Sequence, residues 1–339
     1  MIILRYLLFP FSIIYGGITT VRNFLYDQSI LKSKSFPIPT IVVGNLSVGG
    51  TGKTPQIEYL IRLFVSNYKV ATLSRGYKRK SKGFILANQD VTSDLIGDEP
   101  YQMFKKFPAI QVAVDADRCN GIQQLLSQKN KPDVILLDDA FQHRKVKAGF
   151  YILLSSFDDL YCNDLLLPTG NLRESKKGAS RANVIIITKC PDYLSDEDQQ
   201  IIIRKLAVNC PVFFSYIGYH DEIVNSNNSI KIEEIKQKSK LLIAGIAKPK
   251  PFFDFLAQPS DELLTFADHH SFSESDLKSI NSKSTFKEVL ITTEKDFVRL
   301  DNHLKNSKLY YLPIKSNFIK DKAKFDQLLL EYVSNCNFK

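Results

Sequence analysis

The chain has 339 residues, 44% of them hydrophobic and 24% charged, with a formal net charge of +9. That length and composition exclude a disordered chain and allow two domains with a sizeable core. The positive balance points to an anionic partner. With no RNA-binding aromatic motif, zinc-finger spacing or helix-turn-helix pattern, no nucleic acid is expected.

Residues 1–18, MIILRYLLFPFSIIYGGI, are apolar all round but interrupted by Arg5, Pro10, Ser12 and the Gly16-Gly17 pair. The run falls short of the roughly twenty clean residues a spanning helix needs. It also lacks a small-residue cleavage site, so a removable signal peptide is not expected. Three placements stay open: a helix in the membrane interface, a true span, or a helix packed on the protein. Tyr6, Phe9, Phe11 and Tyr15 suit an interface, and Arg22, Lys32 and Lys34 can meet acidic headgroups. The expectation is a membrane-associated helical segment over 1–34, monotopic rather than spanning.

Residues 41–57 read IVVGNLSVGGTGKTPQI. The β-branched run Ile41, Val42, Val43 enters a loop of Ser47, Val48, Gly49, Gly50, Thr51 and Gly52. Lys53-Thr54 closes it, and Ile57, Leu60, Ile61 and Phe64 recur at helical spacing. Strand, glycine loop and helix N-terminus make the phosphate cradle of a P-loop. Lys53 reaches the β- and γ-phosphates in such a loop, and the Thr54 hydroxyl ligates Mg²⁺. The usual pattern puts glycine where this chain has Ser47. The stretch implies a bound nucleoside triphosphate.

A second strand, Val70–Leu73, breaks at Ser74-Arg75-Gly76-Tyr77, followed by Lys78, Arg79, Lys80 and Lys82. This basic turn is either simply solvated or a phosphate or headgroup contact. Gly97-Asp98-Glu99-Pro100 precedes a helical stretch, where spacing alone reads Asp98 or Glu99 as an N-cap. Gln111–Val114 is another strand, with Asp115, Asp117 and Arg118 at its exit. Asp133–Arg144, DVILLDDAFQHR, has a continuous apolar run ending in Asp138 and Asp139. That is the form of a Walker B strand, whose terminal acid holds Mg²⁺. Gln142, His143 and Arg144 follow as either surface loop or site.

Apolar runs at Phe150–Leu154, Val184–Thr188 and Val212–Tyr216 complete a doubly wound parallel sheet over 35–216. Thr188-Lys189 sits where P-loop GTPases place [NT]-K-x-D. The acid, Asp192, comes one residue late, which favours ATP over GTP. Residues 217–240 turn polar and are expected to be a linker. A smaller α/β domain is expected over 241–339, carrying Ala267-Asp268-His269-His270, Thr293-Glu294-Lys295-Asp296 and a final amphipathic helix. Adjacent histidines read as a loop more readily than as a metal site. The five cysteines (Cys119, Cys162, Cys190, Cys210, Cys336) have no C-x-x-C or zinc spacing, which fits reduced thiols in a cytosolic protein.

Together, GNLSVGGTGKTP (44–55), LSRGY (73–77), GDEP (97–100), ADR (116–118), LLDDAFQHR (136–144), LPTGNLRE (167–174), TK (188–189), ADHHSF (267–272) and TEKD (293–296) resemble the tetraacyldisaccharide 4′-kinase family, the lipid A 4′-kinases of Gram-negative bacteria. Within that family Ser47 is ordinary. Ala140 stands where glycine is usual, and LPTGNLRE varies LPAGxLRE; neither change removes a chemical group. The resemblance implies transfer of the ATP γ-phosphate to the 4′-hydroxyl of a tetraacyldisaccharide 1-phosphate, giving lipid IVA. It implies ATP and Mg²⁺ as cofactors, an acylated disaccharide lipid as partner, and the cytoplasmic face of the inner membrane as location. A monomer is expected.

Carried over by position, the P-loop groups are Lys53 and Thr54, and the Walker B acids are Asp138 and Asp139. The catalytic base is Asp98, assisted by His269 from the smaller domain. Arg75, His143, Arg173 and Glu174 are candidates for organising substrate or nucleotide. Two other classes remain open at this stage: an ATP-dependent ligase acting on a soluble carboxylate, and a membrane-tethered nucleotide switch with hydrolysis as its only chemistry.

Overall fold

A computed structural model describes residues 5–225, 228–268, 270–304 and 308–337. In chain order the elements are α1 (Phe9–Asp27), β1 (Thr40–Asn45), α2 (Lys53–Phe64), β2 (Val70–Ser74), β3 (Ile85–Leu86), α3 (Ser93–Ile96), α4 (Asp98–Lys106), β4 (Gln111–Val114), α5 (Arg118–Leu126), β5 (Val134–Asp138), β6 (Phe150–Ser156), β7 (Val184–Thr188), α6 (Asp196–Leu206) and β8 (Val212–Tyr219). There follow β9 (Glu222–Val224), β10 (Ser229–Lys231), α7 (Ile232–Ile235), β11 (Lys240–Ala244), α8 (Lys250–Leu256), β12 (Glu262–Thr265), α9 (Glu274–Ser284), β13 (Val289–Thr293), α10 (Glu294–Leu304), β14 (Leu309–Leu312), β15 (Ile314–Phe318) and α11 (Lys322–Asn337). The chain divides into two compact units: Met1–Ile96, Met103–Ile217 and Ser316–Lys339 form the first, Gly97–Gln102 and Gly218–Lys315 the second.

Among the described residues, the first unit's sheet runs β15-β8-β7-β6-β1-β5-β2-β4-β3. β1 lies parallel between β5 and β6, with Val43 opposite Asp138 and Ile152. The chain leaves β1 towards β2 on one side and returns after β5 to β6 on the other. The carboxyl end of β1 is therefore the crevice where an open α/β sheet takes its ligand. Every residue of β1 is buried, as are Val134–Leu137 of β5, which is why both read as unbroken apolar runs. One sheet face packs on Ile57, Leu60, Ile61 and Phe64 of α2 and on Phe325, Leu329 and Val333 of α11. The other packs on Ile122 and Leu125 of α5.

The second unit's sheet runs β10-β9-β14-β13-β11-β12, with β12, β11, β13 and β14 parallel. Two expected boundaries change. Residues 222–224 and 229–235 are not linker, because Ile223 and Ile235 are fully buried and anchor β9 and α7 in this unit's core. The final helix, α11, belongs to the first unit, whose core it enters through Phe325.

α1 inverts the usual arrangement of a surface helix. Ser12, Tyr15, Gly16, Thr19 and Asn23 recur at three- and four-residue spacing, so small and polar groups line one face. Ser12 and Gly16 are buried. A Cβ at Gly16 would lie 2.6 Å from Leu166 Cδ1, so a larger residue there would have to displace the end of that leucine side chain. Ser12 Oγ donates to Thr169 Oγ1 at 2.7 Å, and the Tyr15 hydroxyl donates to the Arg173 carbonyl at 2.7 Å. The apolar side chains Phe11, Ile13, Ile14, Ile18 and Val21 are left exposed. Among the described residues no helix is long and apolar enough to cross a membrane. Of the three placements, the structure shows the helix packed on the protein, with an apolar face left outward.

Candidate active site

The phosphate loop begins where β1 ends. Gly49 and Gly52 have φ of 110° and 80°, a backbone that favours glycine. Ser47 is not among the positive-φ residues, so its side chain brings no strain there; it forms an antiparallel bridge with Leu172. The Val48 N–H donates to the Asn171 carbonyl at 2.8 Å. Gly52 starts α2 without a side-chain cap, which leaves first-turn N–H groups facing the loop around Lys53 and Thr54. Thr188 Oγ1 donates to the Thr51 carbonyl at 2.8 Å, and Lys189 Nζ to the Gly50 carbonyl at 2.5 Å. The Thr188-Lys189 pair thus braces the loop, a role its likeness to a guanine-binding motif did not suggest.

Lys53 Nζ donates to Asn45 Oδ1 at 3.3 Å and stands 3.7 Å from Asp139 Oδ1. Arg173 Nη1 donates to both Asp139 oxygens, at 2.9 and 3.1 Å. Asp139 itself has φ 48°, a left-handed residue just after the strand. Burial alone would raise its carboxyl pKa. Lys53 and Arg173 outweigh that effect and hold the group below the ordinary aspartate value. Asp138 ends β5, and its carbonyl accepts from Arg118 Nη2 at 3.3 Å. Arg118 is 3% exposed; burial lowers its guanidinium to about 10, opposed by Asp138 and Asp139.

Glu174, also 3% exposed, accepts from Arg181 Nη2 at 2.7 Å, Gln142 Nε2 at 3.0 Å and Asn23 Nδ2 at 2.6 Å. Gln142 Nε2 also donates to the Asn45 carbonyl at 2.9 Å. Burial and then the Arg118 charge push the His143 imidazole down to about 4, so it is neutral at physiological pH. Arg75 is exposed just beyond β2.

The fold therefore brings Lys53, Asp139, Arg173 and Glu174 into one connected array behind the loop of Ser47–Gly52. Asn45, Arg118, Gln142 and Arg181 also belong to that array; from sequence Asn45 and Arg181 were given no role, Arg118 was only placed at a strand exit, and Gln142 was left open between loop and site. Gln142 lies inside DDAFQHR, and Asn45 is the residue before the glycine loop's Leu46, so position was the available signal. In the second unit, Asp98 Oδ2 accepts from Arg299 Nη2 at 2.5 Å and Nε at 3.0 Å. Arg299 also reaches the His270 carbonyl at 3.4 Å and lies 4.0 Å from Asp296. Asp296, fully buried, accepts from the Gly245 N–H and Thr293 Oγ1. Arg299 had no sequence signal beyond following TEKD by three residues. His269 lies outside the described residues; its neighbour His270 pairs with Asp276 at 2.9 Å.

Comparison with known proteins decides the family. The Tetraacyldisaccharide-1-P 4′-kinase family model matches residues 4–334. The chain belongs to this family. It is 61% identical to the tetraacyldisaccharide 4′-kinase of Flavobacterium johnsoniae over 98% of both chains. It is 44% identical to that of Bacteroides thetaiotaomicron, over 96% of this chain and 92% of the relative. The crystal structure of LpxK from Aquifex aeolicus in complex with ATP matches with a TM-score of 0.80 at 32% identity, covering 97% of this chain and 99% of that one. Membership in the tetraacyldisaccharide 4′-kinase family makes the chain a kinase of lipid A biosynthesis, built on the P-loop fold its sequence implied. The ligase and nucleotide-switch alternatives are set aside.

Proposed function

We propose that the chain transfers the γ-phosphate of ATP to the 4′-hydroxyl of a tetraacyldisaccharide 1-phosphate, giving lipid IVA, and that it acts as a monomer on the cytoplasmic face of the inner membrane. The observation that carries this reading is the Lys53–Asp139–Arg173 cluster at the mouth of a P-loop in a chain of this family. Phosphoryl transfer needs positioning and positive charge more than covalent chemistry. Lys53 supplies that charge to the oxygens of the γ-phosphate, and Asp139 with Asn45 keeps its ammonium pointed at the loop.

The available donors suit Mg²⁺: the Thr54 hydroxyl and the Asp138 carboxylate are hard oxygens. Mg²⁺ is commonly held by one or two such groups together with phosphates and water. Among the described residues no cluster of three or more His, Cys, Asp or Glu forms a metal cage on its own. Asp139, already holding Lys53 and Arg173, is assigned to orientation rather than ligation. When bound, Mg²⁺ neutralises charge on the phosphates.

Asp98 is proposed as the base that accepts the 4′-hydroxyl proton, with His269 assisting. Both bonds from Arg299 fall on Asp98 Oδ2, so Oδ1 stands outside that pair. Arg75 is offered as a contact for the acceptor's phosphate. His143, neutral and half-buried, packs behind the site. The outward apolar face of α1 sits in the interface where an acylated acceptor is presented. The deciding experiment is transfer of γ-³²P from ATP to purified tetraacyldisaccharide 1-phosphate in detergent. Labelled lipid is expected; folded protein that labels none overturns the proposal.

A further inference from the structure

The hydrogen bonds of α1 lead inward to the phosphate loop. Asn23 Nδ2 donates to Glu174 Oε2 at 2.6 Å, and the Tyr15 hydroxyl donates to the Arg173 carbonyl at 2.7 Å. From Glu174 the path continues through Gln142 to the Asn45 carbonyl, at the end of β1. From Arg173 it continues to Asp139, which faces Lys53. Leu46 and Val48 close the ring by main-chain bonds to Arg173 and Asn171, at 2.7 and 2.8 Å. Every link lies within the first unit, and Glu174 is buried.

We propose that Asn23 and Tyr15 are positioning residues for phosphoryl transfer. α1 fixes the Arg173–Glu174 corner and, through it, sets where Asp139 holds the Lys53 ammonium. The helix is then more than a tether: the element that meets the lipid surface is also a wall of the phosphate site. This rests on the proposed kinase reading. The physical reason is economy of partners. Glu174 receives three donors from three separate segments, so removing the one from α1 unbalances a buried carboxylate and lets the corner turn. Transfer is sensitive to displacements of about 1 Å, whereas nucleotide binding, spread over the whole loop, is less so.

The test measures kcat and KM for ATP with lipid substrate in mixed micelles. Asn23→Leu is expected to lower kcat about ten-fold while KM for ATP changes less than about two-fold. Flotation with phosphatidylglycerol vesicles is expected to match wild type. In an Arg173→Ala background, Asn23→Leu is expected to change kcat less than about two-fold, because the side chain that carries the corner's position to Asp139 is gone. Tyr15→Phe, which removes one hydroxyl, gives the same pattern at about three-fold and carries the test if Asn23→Leu fails to fold. Unchanged kcat, an undiminished effect without Arg173, or a loss confined to flotation overturns the inference. Wild-type protein that transfers no phosphate overturns the kinase reading instead, so the two failures are separable.

Discussion

Arg173→Ala isolates what holds the second Walker B acid. Nη1 makes two bonds to Asp139, at 2.9 and 3.1 Å, and both groups are charged. Such bonds contribute about 1.5–3 kcal/mol when shielded. Here the Asp139 side chain is 36% exposed and that of Arg173 25%, which lowers the expectation to about 1.4–2 kcal/mol. If the loss is felt in the transition state, kcat falls roughly ten- to thirty-fold with little change in KM for ATP. A second readout is acid dependence. Lys53 and Arg173 hold the Asp139 carboxyl below its ordinary value against the effect of burial, so the ionised form persists to lower pH in wild type. Without Arg173 that carboxyl rises, and the acid limb of kcat moves up towards the normal carboxylate range, near about 3.9. Steady-state kinetics from about pH 3 upwards, so that the range extends below the normal carboxylate value, with γ-³²P transfer as the assay, measures both. A variant within two-fold of wild-type kcat and with an unmoved acid limb refutes the assignment of Asp139 to orientation through Arg173.

Asp98→Asn keeps the shape of the Arg299 pair but removes the proposed proton acceptor, and is expected to lower kcat by about 10²-fold or more with nucleotide affinity intact, checked by single-turnover transfer and ATP binding. His143 is held at about 4 against an ordinary 6.5, so the folded state prefers the neutral ring. Its contribution to stability is full above pH 6.5 and is lost as pH falls towards 4; urea midpoints at pH 7.5 and 5 should differ more for wild type than for His143→Gln. In the second unit, Lys240 and Asp261 pair at 3.0 Å with side chains 1% and 0% exposed. Lys240→Met is expected to destabilise by about 3–5 kcal/mol, and Lys240→Met/Asp261→Leu to recover most of it, by urea unfolding of that unit's signals. Ile14→Asp/Ile18→Asp puts charge on the exposed face of α1 and should reduce sedimentation with anionic vesicles while leaving the helix's packing contacts in place.

Much of the site was legible because its chemistry is local in sequence. Strand, glycine loop and Lys-Thr sit within seventeen residues, and β5 announces itself by four buried apolar residues before two acids. What could not be read is what closes over long separations. Glu174 is coupled to Asn23 across 151 positions and to Gln142 across 32, and no spacing rule links them. Arg299 meets Asp98 across 201 positions. The polar stretch at 217–240 hid two strands because each is three residues long, too short for alternation to stand out. The return of α11 to the first unit was invisible for a different reason. Its apolar spacing identifies an amphipathic helix but says nothing about which sheet receives Phe325 and Leu329.

Two adjacent acids at one strand end would repel if they did the same work, and the backbone separates them. Asp138 is the last residue of β5, paired in register with Val43 of β1 and tied by its carbonyl to Arg118. Asp139 steps into the left-handed region at φ 48°, which departs from the strand's alternation and sets its carboxylate between Lys53 and Arg173. A strand continued by one more residue would have put the two side chains on opposite sheet faces. The turn instead sets Asp139 against Lys53 and Arg173 and leaves Asp138 for the metal role proposed above. Arg173 belongs to the corner that α1 grips. On the proposed reading, the orientation of Lys53 depends on a helix whose other face is apolar and exposed, and placement at the lipid surface and alignment of the γ-phosphate become properties of the same element.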